Sequence, residues 1–175
     1  KTNGWIVKKA SDGNVAYGGN SDNHCFEAWN NKDFDIYQEV KGAPVGVYEI
    51  SLQGFYRYGR GDNAYKAYTE GTANNDVVDI YVNNNATHFK SVFDEHVPYS
   101  GNKTGELYKY EGGNPPYINP DSTYWYPNDM AVAATAFRNG LYKVSSFGVV
   151  AKAGDVLRVG VKGSTDQLKD SWAIW

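Results

Sequence analysis

Short runs in which apolar and polar residues alternate recur along this chain, and a period of two excludes most architectures. "FDIYQEV" puts Phe34, Ile36 and Val40 on one face and Asp35, Tyr37 and Glu39 on the other. "YEISLQG" sets Tyr48, Ile50, Leu52 and Gly54 opposite Glu49, Ser51 and Gln53. "VVDIYVN" and "VLRVGVKG" repeat the habit, with Leu157, Val159 and Val161 facing away from Arg158. Each run is rich in β-branched and aromatic residues and bounded by Gly, Asn, Asp or Pro. Many such runs without long helical patterns predict an all-β, antiparallel sandwich.

One segment departs from the alternation. "PNDMAVAATAFRNG" offers a cap at Asn128 or Asp129, an Ala-rich body, Arg138 near the end and Gly140 just beyond. Met130, Ala133, Ala134 and Phe137 fall at helical spacing on one side. The expectation is one short helix near 129–138, packed over an end of the sandwich. From Tyr99 to Asp129 the chain shows little alternation and much Gly and Pro, which predicts a long loop. A loop of that length inside a compact domain is functional or disordered. Its aromatic content speaks against disorder.

At 175 residues the chain suits one domain able to bury roughly two-thirds of its unfolded surface. Its 17 basic and 20 acidic side chains are balanced, so no broad cationic field draws in nucleic acid or an anionic membrane. Apolar runs are too short for a transmembrane helix, so no membrane insertion is expected. No basic-then-apolar segment opens the chain, so no signal peptide is expected. The chain opens at Lys1 and stops at Trp175 in mid-pattern. It therefore reads as a single domain, 1–175, excised from a larger multidomain protein and cut near its last strand.

"NGW", "FDIYQEVKGAPVGVYEISLQGFYRYG", "VDIYVNNN", "YPNDMAVAATAFRNGLY", "VLRVGVKG" and the terminal "DSWAIW" follow one another over nearly the whole chain. Together they resemble the galactose-binding-like β-sandwich (jelly-roll) domains of secreted or surface glycan-degrading proteins of Gram-negative gut bacteria. That resemblance implies a carbohydrate-binding module, extracellular or on the cell surface (or periplasmic), joined to other domains of its parent protein. In such domains the segment around Pro44 and Gly46 resembles the entry to a central strand, and "SWAIW" the last core strand. Relatives continue into an Asp-Asn-Phe-like tail, absent here, and many hold a structural calcium beside the closing strand.

The residues themselves offer little for catalysis. Glycosidic hydrolysis needs two carboxylates across a cleft. Asp62, Glu70, Asp94, Glu95 and Asp129 are present, but no motif couples any two. There is no nucleophile elbow, phosphate loop or HExxH-type site. His24, His88 and His96 lack ligand-like spacing. Cys25, the only cysteine, neighbours His24 without a further orienting residue, and reads as a buried structural thiol. The expectation is a protein that is not an enzyme and requires no cofactor. A structural Ca²⁺ site is a candidate in "SDGNVAYGGNSDN", where Asp12, Asn14 and Asp22 supply oxygens in a glycine-rich span. Ordinary turn chemistry accounts for the same residues.

With 15 Tyr against 7 Phe, plus 5 Trp, the chain favours rings that carry a polar tip. A sugar site pairs a flat ring with polar side chains that reach hydroxyls. "YINPDSTYWYPND" offers Tyr117, Tyr124 and Trp125, with Asn119, Asp121, Asn128 and Asp129 nearby, while Tyr126 reads as core. "YRYGRGDNAYKAY" offers Arg60, Asp62 and Tyr65 at a strand exit. Trp5, Trp29, Trp172 and Trp175 read as packing. The leading expectation is a module that holds an oligo- or polysaccharide. The alternatives are an interaction or spacer domain of a multidomain surface protein, and a glycan-active enzyme of unrecognised arrangement.

Overall fold

The computed structural model describes residues 4–9, 14–19, 24–30, 33–98, 116–164 and 170–175. One sheet runs in the order β1 (Ile6–Lys9), β4 (Phe34–Val40), β14 (Leu157–Gly163), β7 (Val78–Val82), β8 (Asn85–His88), antiparallel throughout. A second runs β2 (Asn14–Gly19), β3 (His24–Trp29), β15 (Trp172–Ile174), β6 (Phe55–Arg57), β9 (Lys90–Ser91), with only the β6–β9 pair parallel. β5 (Gly46–Gln53) pairs with β13 (Lys143–Val150) over their whole length. The chain is thus all-β and sandwich-like, as the alternation predicts.

Alternation explains why the two main sheets meet. Phe34 and Ile36 of β4, Val78 and Ile80 of β7 and Val161 of β14 are buried against Phe26 and Ala28 of β3 and Ala173 of β15. Trp175 is stacked between Phe26 and Phe34, with ring centroids 5.9 and 5.7 Å away. Stacked faces of this kind add about 1 kcal/mol each beyond the area they bury.

The opposite face of the second sheet is covered too. Phe55, Trp172 and Ile174 point there, against Ala133, Ala134 and Phe137 of the helix α2 (Met130–Arg138). Asp129 caps α2, its Oδ1 accepting from the Ala131 N–H at 2.9 Å. The same layer holds a small sheet, β10 (Val97–Pro98), β12 (Tyr124–Tyr126) and β11 (Tyr117–Ile118), the last two within the region expected to be loop. Residues 99–115 of that region lie outside the described residues.

Two features correct the sequence reading. A second helix, α1 (Gly61–Thr69), occupies the stretch read as a strand exit. Its entry, Gly61-Asp62-Asn63, is also turn chemistry, and Arg60 at the cap makes no side-chain cap bond, so the usual start signal is missing. The run "YEISLQGFYR" is also two strands. It breaks at Gly54, where a Cβ would lie 2.8 Å from the Phe89 ring and 3.0 Å from the Ile174 carbonyl oxygen. Nothing bulkier than glycine fits between those neighbours.

Candidate functional site

The ring candidates from sequence come together, but as packing. Tyr65 on α1 meets Phe93 edge-on at 5.3 Å and lies 5.9 Å from Tyr117. The Tyr117 hydroxyl donates to Asp62 Oδ1 at 2.9 Å, and burial together with that carboxylate raises its pKa. Tyr124 is half-buried with its ring 3.8 Å from that of His96. Trp125 is 3 % exposed, so it corrects the expectation of an accessible ring and offers no stacking face. Asn119, buried at 2 %, accepts the Thr123 and Tyr124 N–H groups at 3.0 and 2.8 Å and donates to Thr123 and Asp121. Of the polar groups expected to meet a sugar there, Asn119 and Asp121 build the turn instead.

Of the calcium candidates, Asp12 and Asp22 lie outside the described residues, and Asn14 is placed only by its backbone, opposite Trp29 in β2. Among the described residues, no three His, Cys, Asp or Glu side chains gather as a metal-binding group. Cys25 is buried, and burial, with the negative charge of Glu27 and Asp129, pushes its thiol up to about 12. At neutral pH it is an unreactive thiol.

Arg60 diverges from its neighbours. It lines a cleft of about 310 Å³. The floor comes from register: Trp29 of β3, Trp172 of β15 and Arg57 of β6 are direct cross-strand partners and share one face. Glu27, two residues before Trp29, lies on that face as well. The rim is the entry to α2, Asn128, Asp129 and Met130. Met130 reaches down because Gly18 of β2 has no side chain, and its Sδ would lie only 2.6 Å from a Cβ there.

The cleft floor is held rigidly. Trp172, 4 % exposed, donates its Nε1–H to Glu27 Oε2 at 2.8 Å. The Arg57 guanidinium lies 5.1 Å from the Trp172 ring centre. Its Nε donates to the Gly59 carbonyl at 2.9 Å and its Nη1 to Asn128 Oδ1 at 2.6 Å. Gly59 sits at φ 82°, which lets the chain turn back under the guanidinium. Burial lowers Arg57 to about 10, the nearby Arg60 charge adds to this, and Asp170 offsets part of it. Burial likewise raises the Glu27 pKa, partly offset by the Trp172 bond and reinforced by Asp129. Trp29, by contrast, is 39 % exposed at the mouth.

Chemically, the cleft combines one open indole face, two carboxylates and two guanidiniums. Sequence reasoning assigned Trp29 and Trp172 to packing, set Arg57 beside Arg60 at the strand exit, and passed over Glu27. A signal was present: Phe26 and Ala28 alternate against Glu27 and Trp29, so a tryptophan shares a strand face with a carboxylate. What no spacing could show is that β15, nearly 150 positions away, sets Trp172 between Trp29 and Arg57.

A second, wider hollow of about 630 Å³ lies on the outer face of the first sheet. Register lines up Lys8, Asp35, Lys162, Asp79 and His88 across it, with charges of alternating sign. Arg158 pairs with Asp35 at 2.5 Å and lies 3.6 Å over the Tyr37 ring, while the Tyr81 hydroxyl donates to Asp35 at 2.7 Å. The rings here are covered by the protein's own cations, which makes this face a paired, solvated surface.

No protein-family model matches the chain, and neither the curated proteins nor the solved structures include a significantly similar one.

Proposed function

We propose that this chain is a non-catalytic carbohydrate-binding module of the galactose-binding-like kind. On this reading it works outside the cell or at its surface and keeps an appended or partner enzyme close to a glycan. The observation that carries the reading is Trp29, exposed at the mouth of a cleft lined by carboxylates, guanidiniums and an amide. An indole face suits the C–H side of a sugar ring, and the polar rim suits its hydroxyls. One stacked ring contributes about 1 kcal/mol beyond area burial. With a few hydroxyl contacts, a single site then binds on the order of 10 µM to 1 mM, strengthened by neighbouring modules.

Affinity electrophoresis and a glycan array on the wild type and Trp29→Ala test this. Retardation by at least one plant, host or microbial glycan is expected, lost in Trp29→Ala while the variant keeps a cooperative thermal transition. No binding to any glycan, with the variant indistinguishable from wild type, sinks the proposal.

A second reading, an interaction or spacer domain, draws on the outer face of the β5–β13 ribbon. Val47, Phe147 and Val149 are 74, 54 and 52 % exposed there. This reading expects an empty sugar screen, and association with a neighbouring domain that weakens when Phe147 is replaced by Ser.

A further inference from the structure

Arg57 presents an unusual electrostatic situation. Its side chain is 6 % exposed, and its hydrogen-bond acceptors, the Gly59 carbonyl and the Asn128 amide oxygen, are both neutral. Among the described residues no carboxylate is ion-paired with it, and Asp170 acts on it only at longer range. A buried charge is normally matched by an opposite one, because desolvation costs several kcal/mol per ion. Arg60, exposed at the start of α1, lines the same cleft, and its side chain makes no ion pair or hydrogen bond among the described residues. Two like charges therefore line one cleft, near Asp170 but, among the described residues, with no carboxylate paired to either. Glu27 and Asp129 line the same cleft, with Glu27 Oε2 engaged by Trp172 and Asp129 Oδ1 by the first turn of α2.

Resting on the reading of this cleft as a sugar site, we propose that the sugar it selects is acidic, a uronic or sialic acid residue. Its carboxylate lies between Arg57 and Arg60, and its C–H face rests on Trp29. Its hydroxyls donate to the carboxylate of Glu27. A planar carboxylate matches the two-pronged guanidinium, which a lone hydroxyl does not. A neutral sugar would leave the Arg57 charge buried and unmatched. Glu27 and Asp129 in turn repel inorganic anions that bring no hydroxyl hydrogens, so the cleft asks for one negative group on a polyhydroxylated ring. The sequence offers Arg60 as a sugar contact at a strand exit, but its pattern does not show the buried, unpaired Arg57 beside it.

Isothermal titration with matched pairs tests the proposal: oligogalacturonide against its methyl ester, and sialyllactose against lactose. At least one acidic member should bind about tenfold or more tighter than its neutral partner. That preference should weaken with added salt. Arg60→Ala, at an exposed position, should bring acid and neutral forms within about twofold of each other, and Arg60→Lys should keep part of the difference. Equal or weaker binding of both acids than of their neutral partners overturns the inference. So does binding confined to unrelated neutral glycans and abolished by Trp29→Ala, although the carbohydrate reading then survives. If no glycan binds and Trp29→Ala equals wild type, both fall together.

Discussion

Trp125 and Trp29 carry the same indole into opposite surroundings, one 3 % and the other 39 % exposed. Trp125 is part of the core between the second sheet and α2, and its strand neighbour Tyr126 touches Phe93 edge-on at 5.0 Å. Removing a ring of this size from a packed site leaves a cavity that the surroundings close only in part. Trp125→Ala should therefore cost about 3–5 kcal/mol, read as a fall in the urea midpoint at unchanged slope. A loss of stability below about 1 kcal/mol would contradict the burial. Trp29→Ala, which removes a partly exposed ring, should lower that midpoint clearly less. The pair separates a fold defect from a binding defect with one type of substitution.

At the scale of elements, the junction between β5 and β6 is the most demanding place. Gly54 donates its N–H to the Tyr142 carbonyl at 2.9 Å, while the Phe89 ring and the Ile174 backbone crowd its Cα. A backbone oxygen cannot move aside as a flexible side chain does. Gly54→Ala is expected to cost about 1–3 kcal/mol by overpacking, measured by chemical denaturation. Gly18→Ala meets only the end of Met130 and should cost less. The strands were legible because alternation is written locally, and α2 because Asp129, the Ala-rich body and Arg138 mark its ends. α1 was hidden because its entry residues also spell a turn and Arg60 is no capping residue. The cleft was hidden for a different reason. Its floor is assembled across β3, β15 and β6, and its open ring is the tryptophan that local pattern assigns to packing. Tyr117 was named in one stretch and Asp62 and Tyr65 in another, and nothing local shows that the two stretches meet or that they meet as packing.

For the molecule as a whole, Glu95 ties together segments far apart in the chain. It accepts the Tyr142 N–H at 2.6 Å and the Lys90 ammonium at 2.8 Å, while the Tyr142 hydroxyl donates to the carbonyls of Val92 and Glu95. Burial works to raise its pKa, but the bonds from Lys90 and Tyr142 and the charges of Lys90 and Lys143 outweigh it, so the value falls below that of an ordinary glutamate. A carboxyl with a depressed native pKa adds stability above its unfolded value, and that stability is lost as pH falls through the native one. Glu95→Gln should thus lower stability at pH 7 and flatten its decline on acidification below about pH 4.5. Urea midpoints at neutral and acidic pH check this, and an unchanged acid slope would refute it. Glu27, with its raised pKa, has the opposite sign: its contribution is present in acid and is lost as pH rises.

The break at Gly54 also sets the molecule's leverage. The stretch 46–57 runs through β5 into β6, strands of two different sheets, with the exposed Val47 of the ribbon near its start and Arg57 of the cleft at its end. Its ends are at most about 35 Å apart. A tether or neighbour gripping the ribbon end would hold the cleft end away from itself, like the handle and the tip of a tool. The distance between whatever anchors this domain and whatever it grips is thereby bounded by the one stretch 46–57.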